Sequence, residues 1–328
     1  MTDQTTHAIR VATPGGPEAM RFEEVPLAAP GPGEALVRHT AIGVNFIDVY
    51  HRSGLYPLPT PFTPGSEGAG VVEAVGPGVA EVAPGDRVAY VVGPGAYAER
   101  RVLPADRLVK LPHGVADRTA AAMMLKGMTV RSLLRATYRV EPTTTLLFHA
   151  AAGGVGLIAG QWARHLGVKT IIGTVGSPEK AALARAHGYT DVIDYRTENF
   201  VERVKEITGG TGVDVVYDSV GKDTFPASLD CLKPRGLWVV FGQSSGAIPP
   251  LETGLLARKG SLYMTRPTLF TYIASRAELV ETANDLFEVV ASGAVKIEVN
   301  QEFALRDAAE AHRALEGRRT TGSTILLP

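Results

Sequence analysis

Apolar and polar positions change their spacing near Pro142. Residues 1–110 carry short alternating or β-branched runs, such as 34–38 and 70–75, separated by Gly- and Pro-rich turns. That pattern predicts a compact, mostly antiparallel β domain. Beyond Pro142, apolar runs of strand length alternate with segments of helical period: 144–150 then 154–166, 170–175 then 178–186, 191–195 then 198–208, and 213–219 then 224–232. A fifth strand is expected at 236–242 and a sixth at 261–265. Near-continuous apolar strands joined by helices predict a parallel, doubly wound sheet covered on both faces. The tail offers a helix at 276–292, a strand at 295–299, a helix at 306–316 and a strand at 323–327, which can complete either domain.

Length agrees with two domains, since 328 residues exceed one typical core. With 45% hydrophobic and 20% charged residues, the composition is that of a globular, cytosolic chain and argues against disorder or a coiled coil. Its 33 Lys+Arg against 34 Asp+Glu leave a formal charge of -1, so no bulk field draws in nucleic acid or an anionic membrane. The single cysteine, Cys231, forms no intramolecular disulfide and builds no multi-thiolate zinc site; packing is its expected role. The N-terminus lacks the cationic start and apolar stretch of a secretory signal, so no export is implied and a cytoplasmic location is expected. Residues 146–163 carry no formal charge, yet contain His149, Gln161 and four glycines. They read as strand, turn and helix rather than as a membrane span.

That stretch carries the first chemical signal. An apolar strand ending at His149 runs through Ala150-Ala151-Ala152-Gly153-Gly154-Val155-Gly156 into a helical segment. A dinucleotide fingerprint needs three small positions, for a tight turn, for close approach of backbone to pyrophosphate, and for helix–strand packing. Ala151, Gly153 and Gly156 occupy them, and the turn, with Gly154 and Val155, offers N–H groups to phosphate at a helix N-terminus. A purely structural glycine-rich turn is the alternative; the strand-turn-helix-strand context favours the cofactor.

Cofactor choice is decided at the end of the second strand, where an acid about 20 residues beyond the glycines accepts the ribose hydroxyls of NAD. Gly176 and Ser177 stand there instead, Lys180 offers a cation, and Glu179 lies past the strand end. NADPH is therefore expected over NADH. Tyr195, ending the third strand, bonds the 2′-phosphate, stacks near adenine, or serves as a half-buried strand-end aromatic. Ser219, Phe241 and Gln243 end the fourth and fifth strands, and Thr265-Arg266 follow in the sixth, at the carboxyl edge where parallel sheets bind ligands. They are expected to flank ribose and nicotinamide, with turn hydrogen bonds and strand-end packing as the alternative roles.

With Gly43-Val44-Asn45-Phe46-Ile47-Asp48, Gly65-Ser66-Glu67-Gly68-Ala69-Gly70, Pro84-Gly85-Asp86-Arg87-Val88 and Tyr217-Asp218-Ser219-Val220-Gly221 beside this turn, the chain resembles the medium-chain dehydrogenases/reductases. Within them it is similar to the zeta-crystallin type of NADPH:quinone oxidoreductase over nearly its whole length. The resemblance implies an α/β fold: a GroES-like, mostly-β catalytic domain at 1–126 and 267–328, and a Rossmann, doubly wound NADPH-binding domain at 127–266. It also implies a cleft holding the nicotinamide and a homodimer built through the cofactor domains. Zinc-dependent relatives carry a cysteine where this chain has Asn45 and a histidine where it has Ser66, and often a four-cysteine lobe that is missing here. No metal is expected. By the same resemblance Asn45, Tyr50 and Tyr56 are the catalytic residues, orienting nicotinamide and bonding a quinone oxygen. Lys126 and Thr129 contact the cofactor, and Arg318 reaches the adenosine 2′-phosphate. The plainer alternatives are a turn cap for Asn45, amphipathic packing for the tyrosines, and solvent exposure for Lys126 and Arg318.

The expected activity is zinc-free reduction of a quinone by NADPH. A quinone spreads its developing negative charge over ring and oxygens, so positioning and hydrogen bonds replace a Lewis acid. One alternative is reduction of an α,β-unsaturated carbonyl by the same hydride geometry. Another is a non-catalytic NADPH- or RNA-binding role, to which the balanced charge lends nothing.

Overall fold

A computed structural model describes residues 4–328; residues 1–3, where the N-terminal reading begins, lie outside the described residues. The chain divides into two units, one of Met1–Met128, Ile273–Ala291 and Ile297–Pro328, the other of Thr129–Tyr272 and Ser292–Lys296. The first begins with β1 (Gln4–Val11), β2 (Met20–Leu27), β3 (Glu34–Val44), α1 (Phe46–Ser53), β4 (Glu67–Val75), β5 (Arg87–Val91), β6 (Arg100–Pro104), β7 (Leu108–Lys110) and α2 (Asp117–Ser132), which leads the chain into the second. The second holds β8 (Thr145–Phe148), α3 (Gly154–His165), β9 (Thr170–Val175), α4 (Pro178–Ala186), β10 (Asp191–Asp194), α5 (Phe200–Ile207), β11 (Val213–Asp218), β12 (Leu232–Val240), α6 (Gly254–Arg258), β13 (Tyr263–Thr265) and α7 (Leu269–Tyr272). The chain then returns to the first unit for α8 (Arg276–Ala291), β14 (Val299–Ala304), α9 (Ala308–Glu316) and β15 (Ser323–Leu327).

In the first unit β1 and β2 form an antiparallel ribbon, and a seven-stranded sheet runs β14-β15-β3-β4-β5-β7, with β6 also paired to β3. β3 is its spine, antiparallel to β15, β4 and β6. Its Ala35, Val37 and Ile42 pack with Ile9, Val72, Val88, Leu103 and Leu326 in one buried core. Each fully buried Val, Leu or Ile side chain there contributes about 1.5–3 kcal/mol. β14 and β15 run parallel to each other.

The second unit is a six-stranded parallel sheet ordered β10-β9-β8-β11-β12-β13. Winding reverses between β8 and β11, the switch point at which such sheets receive ligands at their carboxyl ends. The doubly wound sheet and the separate mostly-β unit of the sequence reading are both present. Residues 146–163 resolve into β8, a turn and α3, and no helix among the described residues is long and apolar enough to cross a membrane. Cys231 packs in the core with Leu147, Ile172, Val216 and Trp238. Burial pushes its thiol up to about 12, which leaves it inert.

Beyond Pro142, four elements depart from the sequence reading. The helix expected at 224–232 is a single tight turn at Ala227–Cys231, with Leu232 already opening β12. Pro226 has no N–H to give a helix, and the hydroxyls of Thr224 and Ser228 bond to Asp218. The strand expected at 295–299 is instead β14, since pairing with β15 sets its register from Val299 onward. Helices α6 and α7 went unpredicted because a span of one turn displays no period.

Asp218, fully buried at the end of β11, organises this edge. Its Oδ1 accepts from the N–H groups of Val220 and Gly221 at 2.8 and 3.1 Å. Its Oδ2 accepts from Thr224, Ser228 and the Trp238 indole at 2.7, 3.1 and 3.1 Å. Asp218→Ala strands those donors in a dry interior, and urea unfolding is expected to register a loss of about 3 kcal/mol or more. A loss below about 1 kcal/mol contradicts the anchoring role.

Candidate functional site

The second unit brings the predicted turn residues together. His149, after β8, is buried and held below its ordinary value by desolvation. Its neutral ring bridges Thr174 Oγ1 at 2.9 Å and Ser228 Oγ at 3.0 Å. Ala150 then takes a left-handed φ of 57°, at a cost of about 1–2 kcal/mol for a non-glycine residue. The left-handed residue is therefore the one before Ala151, the position that the sequence assigns to the tight turn. Ala151 is buried, with its N–H bonded to Thr174 O at 3.0 Å.

Gly153 forms the N-cap of α3 without a side-chain bond. The N–H groups of Gly154, Val155 and Gly156 are thus first-turn donors without intrahelical partners, at the positive end of a helix dipole. A Cβ on Gly156 would stand 2.5 Å from Ala151 O and 2.6 Å from Ala150 O. Only glycine lets the helix start lie against the turn, and the resulting bare cradle fits a pyrophosphate.

At the end of β9, Ser177 accepts from Lys180 N at 3.3 Å and so caps α4. Glu179 is held below its ordinary value by its own backbone N–H and then by Ser177; it belongs to the cap. Tyr195, just past β10 and 42% exposed, places its hydroxyl where a side chain on Gly176 would stand. Gly176, Ser177, Lys180 and Tyr195 thus gather at one strand end, with Lys180 their cation.

Further along the same edge, Phe241 N–H bonds Asp218 O at 2.9 Å and Ser244 N–H bonds Ser219 O at 3.0 Å. Arg266, after β13, donates to Val240 O at 3.2 Å and Gly242 O at 3.3 Å. Ser219, Phe241, Gln243 and Thr265 are half-buried there. Thr129 is half-buried on α2.

In the first unit Asn45 is the N-cap of α1, and its side chain shares a reciprocal capping box with Asp48. Its Nδ2 donates to Glu67 Oε1 at 2.7 Å. Glu67, fully buried at the start of β4, also takes Lys126 Nζ at 3.1 Å and, on Oε2, Leu125 N–H at 2.7 Å. Lys126 is therefore a buried, paired residue inside α2 and does not face solvent. Tyr50 is buried on α1 and meets Tyr56 edge-on at 5.0 Å. Arg318 stands exposed in a left-handed turn after α9.

Glu67 and Asp48 were not singled out by the sequence reading. Asp48 accepts from Asn45 N–H at 2.9 Å, Ser66 Oγ at 3.1 Å and Tyr97 Oη at 3.1 Å, and Tyr97 in turn meets His312 Nε2 at 3.0 Å. Burial pushes Asp48 up to about 7 and His312 down to about 3. The available signal was an acid set in an otherwise apolar or glycine run, as Glu67 is before Gly68-Ala69-Gly70. Among the described residues, no three His, Cys, Asp or Glu side chains are grouped to hold a metal ion.

Residues 31–113 match the alcohol dehydrogenase GroES-like domain family and residues 154–288 the zinc-binding dehydrogenase family. A quinone oxidoreductase of Pseudomonas aeruginosa is 56% identical over 98% of this chain and 99% of its own. The crystal structure of Escherichia coli quinone oxidoreductase complexed with NADPH superposes with a TM-score of 0.96 at 51% identity, covering 99% of this chain and all of that one. A 2-haloacrylate reductase of a Burkholderia species is 48% identical over 96% of each chain.

Asp48 has a stability signature. Its folded value of about 7 lies above the ordinary 3.8, so the folded state holds the proton more tightly. The favourable contribution is complete below about pH 4 and is lost as pH rises to about 7, at up to about 1.4 kcal/mol per unit. Glu67, Tyr97, Arg52 and His312 are the titratable or charged neighbours. Measured by urea unfolding, the stability of the unaltered chain relative to Asp48→Asn is expected to fall between pH 4.5 and 7.5; a pH-independent difference counts against it.

Proposed function

The chain belongs to the quinone oxidoreductases within the medium-chain dehydrogenases/reductases, and from that premise we infer that it is an NADPH-dependent quinone reductase. The carrying observation is the uncapped start of α3, where Gly156 keeps the space over Ala150 O and Ala151 O open. NADPH, when bound, supplies the hydride that reduces the quinone. The chain's own residues bind and orient. N–H groups of Gly154, Val155 and Gly156 take the pyrophosphate. The Lys180 ammonium and the Tyr195 hydroxyl take the 2′-phosphate at a strand end whose nearby acid, Glu179, is engaged in the α4 cap. Ser219, Phe241, Gln243, Thr265 and Arg266 line the carboxyl edge of the sheet for ribose and nicotinamide, while Arg318, Lys126 and Thr129 are carried by the resemblance.

In the first unit, the Tyr50 and Tyr56 hydroxyls are the groups that bond a quinone oxygen and pass it a proton. Asn45 acts differently from the sequence expectation: its carboxamide is committed to Glu67 and to the α1 cap, so its role is to hold the site's shape. The donors at Asn45 and Ser66 suit hydrogen bonding better than metal ligation, which supports a reaction run without zinc. The 2-haloacrylate reductase relative favours a second acceptor class, α,β-unsaturated compounds.

Assembly as a homodimer is supported by β13, an edge strand with Tyr263 62% and Met264 36% exposed. A cytoplasmic setting is supported by the globular composition and the single cysteine, and the balanced charge lends nothing to a nucleic-acid partner.

Loss of NADPH absorbance with benzoquinones as acceptors tests the activity; no oxidation with any quinone refutes it. Lys180→Ala is expected to raise KM for NADPH about ten-fold while leaving that for NADH nearly unchanged. An unaltered preference between the two refutes the phosphate assignment.

A further inference from the structure

Glu67 is a fully enclosed acid that touches two predicted site residues, Asn45 and Lys126. Both of its oxygens are occupied: Oε1 by Asn45 Nδ2 and Lys126 Nζ, Oε2 by the N–H of Leu125. Room for the carboxylate comes from Gly43 on the neighbouring strand β3, where a Cβ would collide with Oε1 and with Ala121 O. The sequence thus gives up a side chain at Gly43 to admit a buried charge.

Stability alone does not account for this arrangement. Desolvating a carboxylate and an ammonium consumes most of what their attraction returns, and an apolar pair of similar size serves a core as well or better. What the pair supplies is definition. A lysine stem samples many rotamers when its head is in water, and here the head sits 3.1 Å from a carboxylate that the Asn45 carboxamide itself holds in place. The order of support is Asn45, then Glu67, then Lys126.

We propose that Glu67 is a positioning residue for the reaction, acting through Lys126, whose ammonium it fixes at one place for contact with the bound cofactor. This rests on the NADPH-dependent reductase reading above.

The test uses the full-length protein with NADPH and 1,4-benzoquinone, comparing the unaltered chain with Glu67→Gln, Lys126→Met and the double variant. If Glu67 works through Lys126, Glu67→Gln lowers kcat at least about five-fold, with KM for NADPH within about three-fold. The double variant then stays within about two-fold of Lys126→Met, because the second change removes an interaction already lost. A kcat loss under about five-fold in Glu67→Gln, or losses that multiply in the double variant, overturns the proposal. Should Glu67→Gln fail to fold because Lys126 is left unpaired, the charge-free double variant carries the comparison. Equality with Lys126→Met within about two-fold supports the proposal, and a larger further loss overturns it. Absence of NADPH oxidation by the unaltered chain with every acceptor overturns the reductase reading itself and is thereby distinguishable.

Discussion

Close approach between the start of α3 and the carbonyls of Ala150 and Ala151 is the constraint on which the second unit depends. A helix N-terminus draws an anion only if its N–H groups are reachable, and here no side chain caps Gly153 and none projects from Gly156. The neighbours are arranged to keep that gap. His149 bridges Thr174 on β9 to Ser228, and Ser228 passes the connection to Asp218. One buried network therefore ties the turn before α3 to the strand end at which Ser219 and Phe241 lie.

The first unit applies the same physics to different ends. Where zinc-dependent relatives have metal ligands, Asn45 and Ser66 are hydrogen-bonding groups, and each is spoken for by a buried acid. Polar side chains in a dry interior are tolerable only when their partners are supplied. Asp48 and Glu67 supply them, one as a carboxyl raised by burial and one as the partner of a lysine. Hydrogen bonds to these two acids thus hold both side chains in place.

Much of this was legible in the chain. Apolar runs such as 170–175 announced a strand buried on both faces, and the glycine-rich stretch between a strand and a helix announced the tight turn into α3. The missing acid after β9 was visible from Gly176 and Ser177 alone. What stayed hidden was set by contacts between distant residues. Lys126 reads as a surface residue until Glu67 is folded against it, and the 224–232 segment reads as a helix until Asp218 claims its hydroxyls. Ala150 hid for a local reason: its left-handed φ is imposed by the turn, and its identity does not advertise it.

Calorimetric titration of NADPH into the unaltered chain and into Gly156→Ala bears most directly on the claim that bare backbone at the α3 start holds the dinucleotide. The added methyl group must push the helix start away from Ala150 O and Ala151 O, and affinity is expected to fall about a hundred-fold or more with circular dichroism unchanged. Affinity within about three-fold of the unaltered chain contradicts the account.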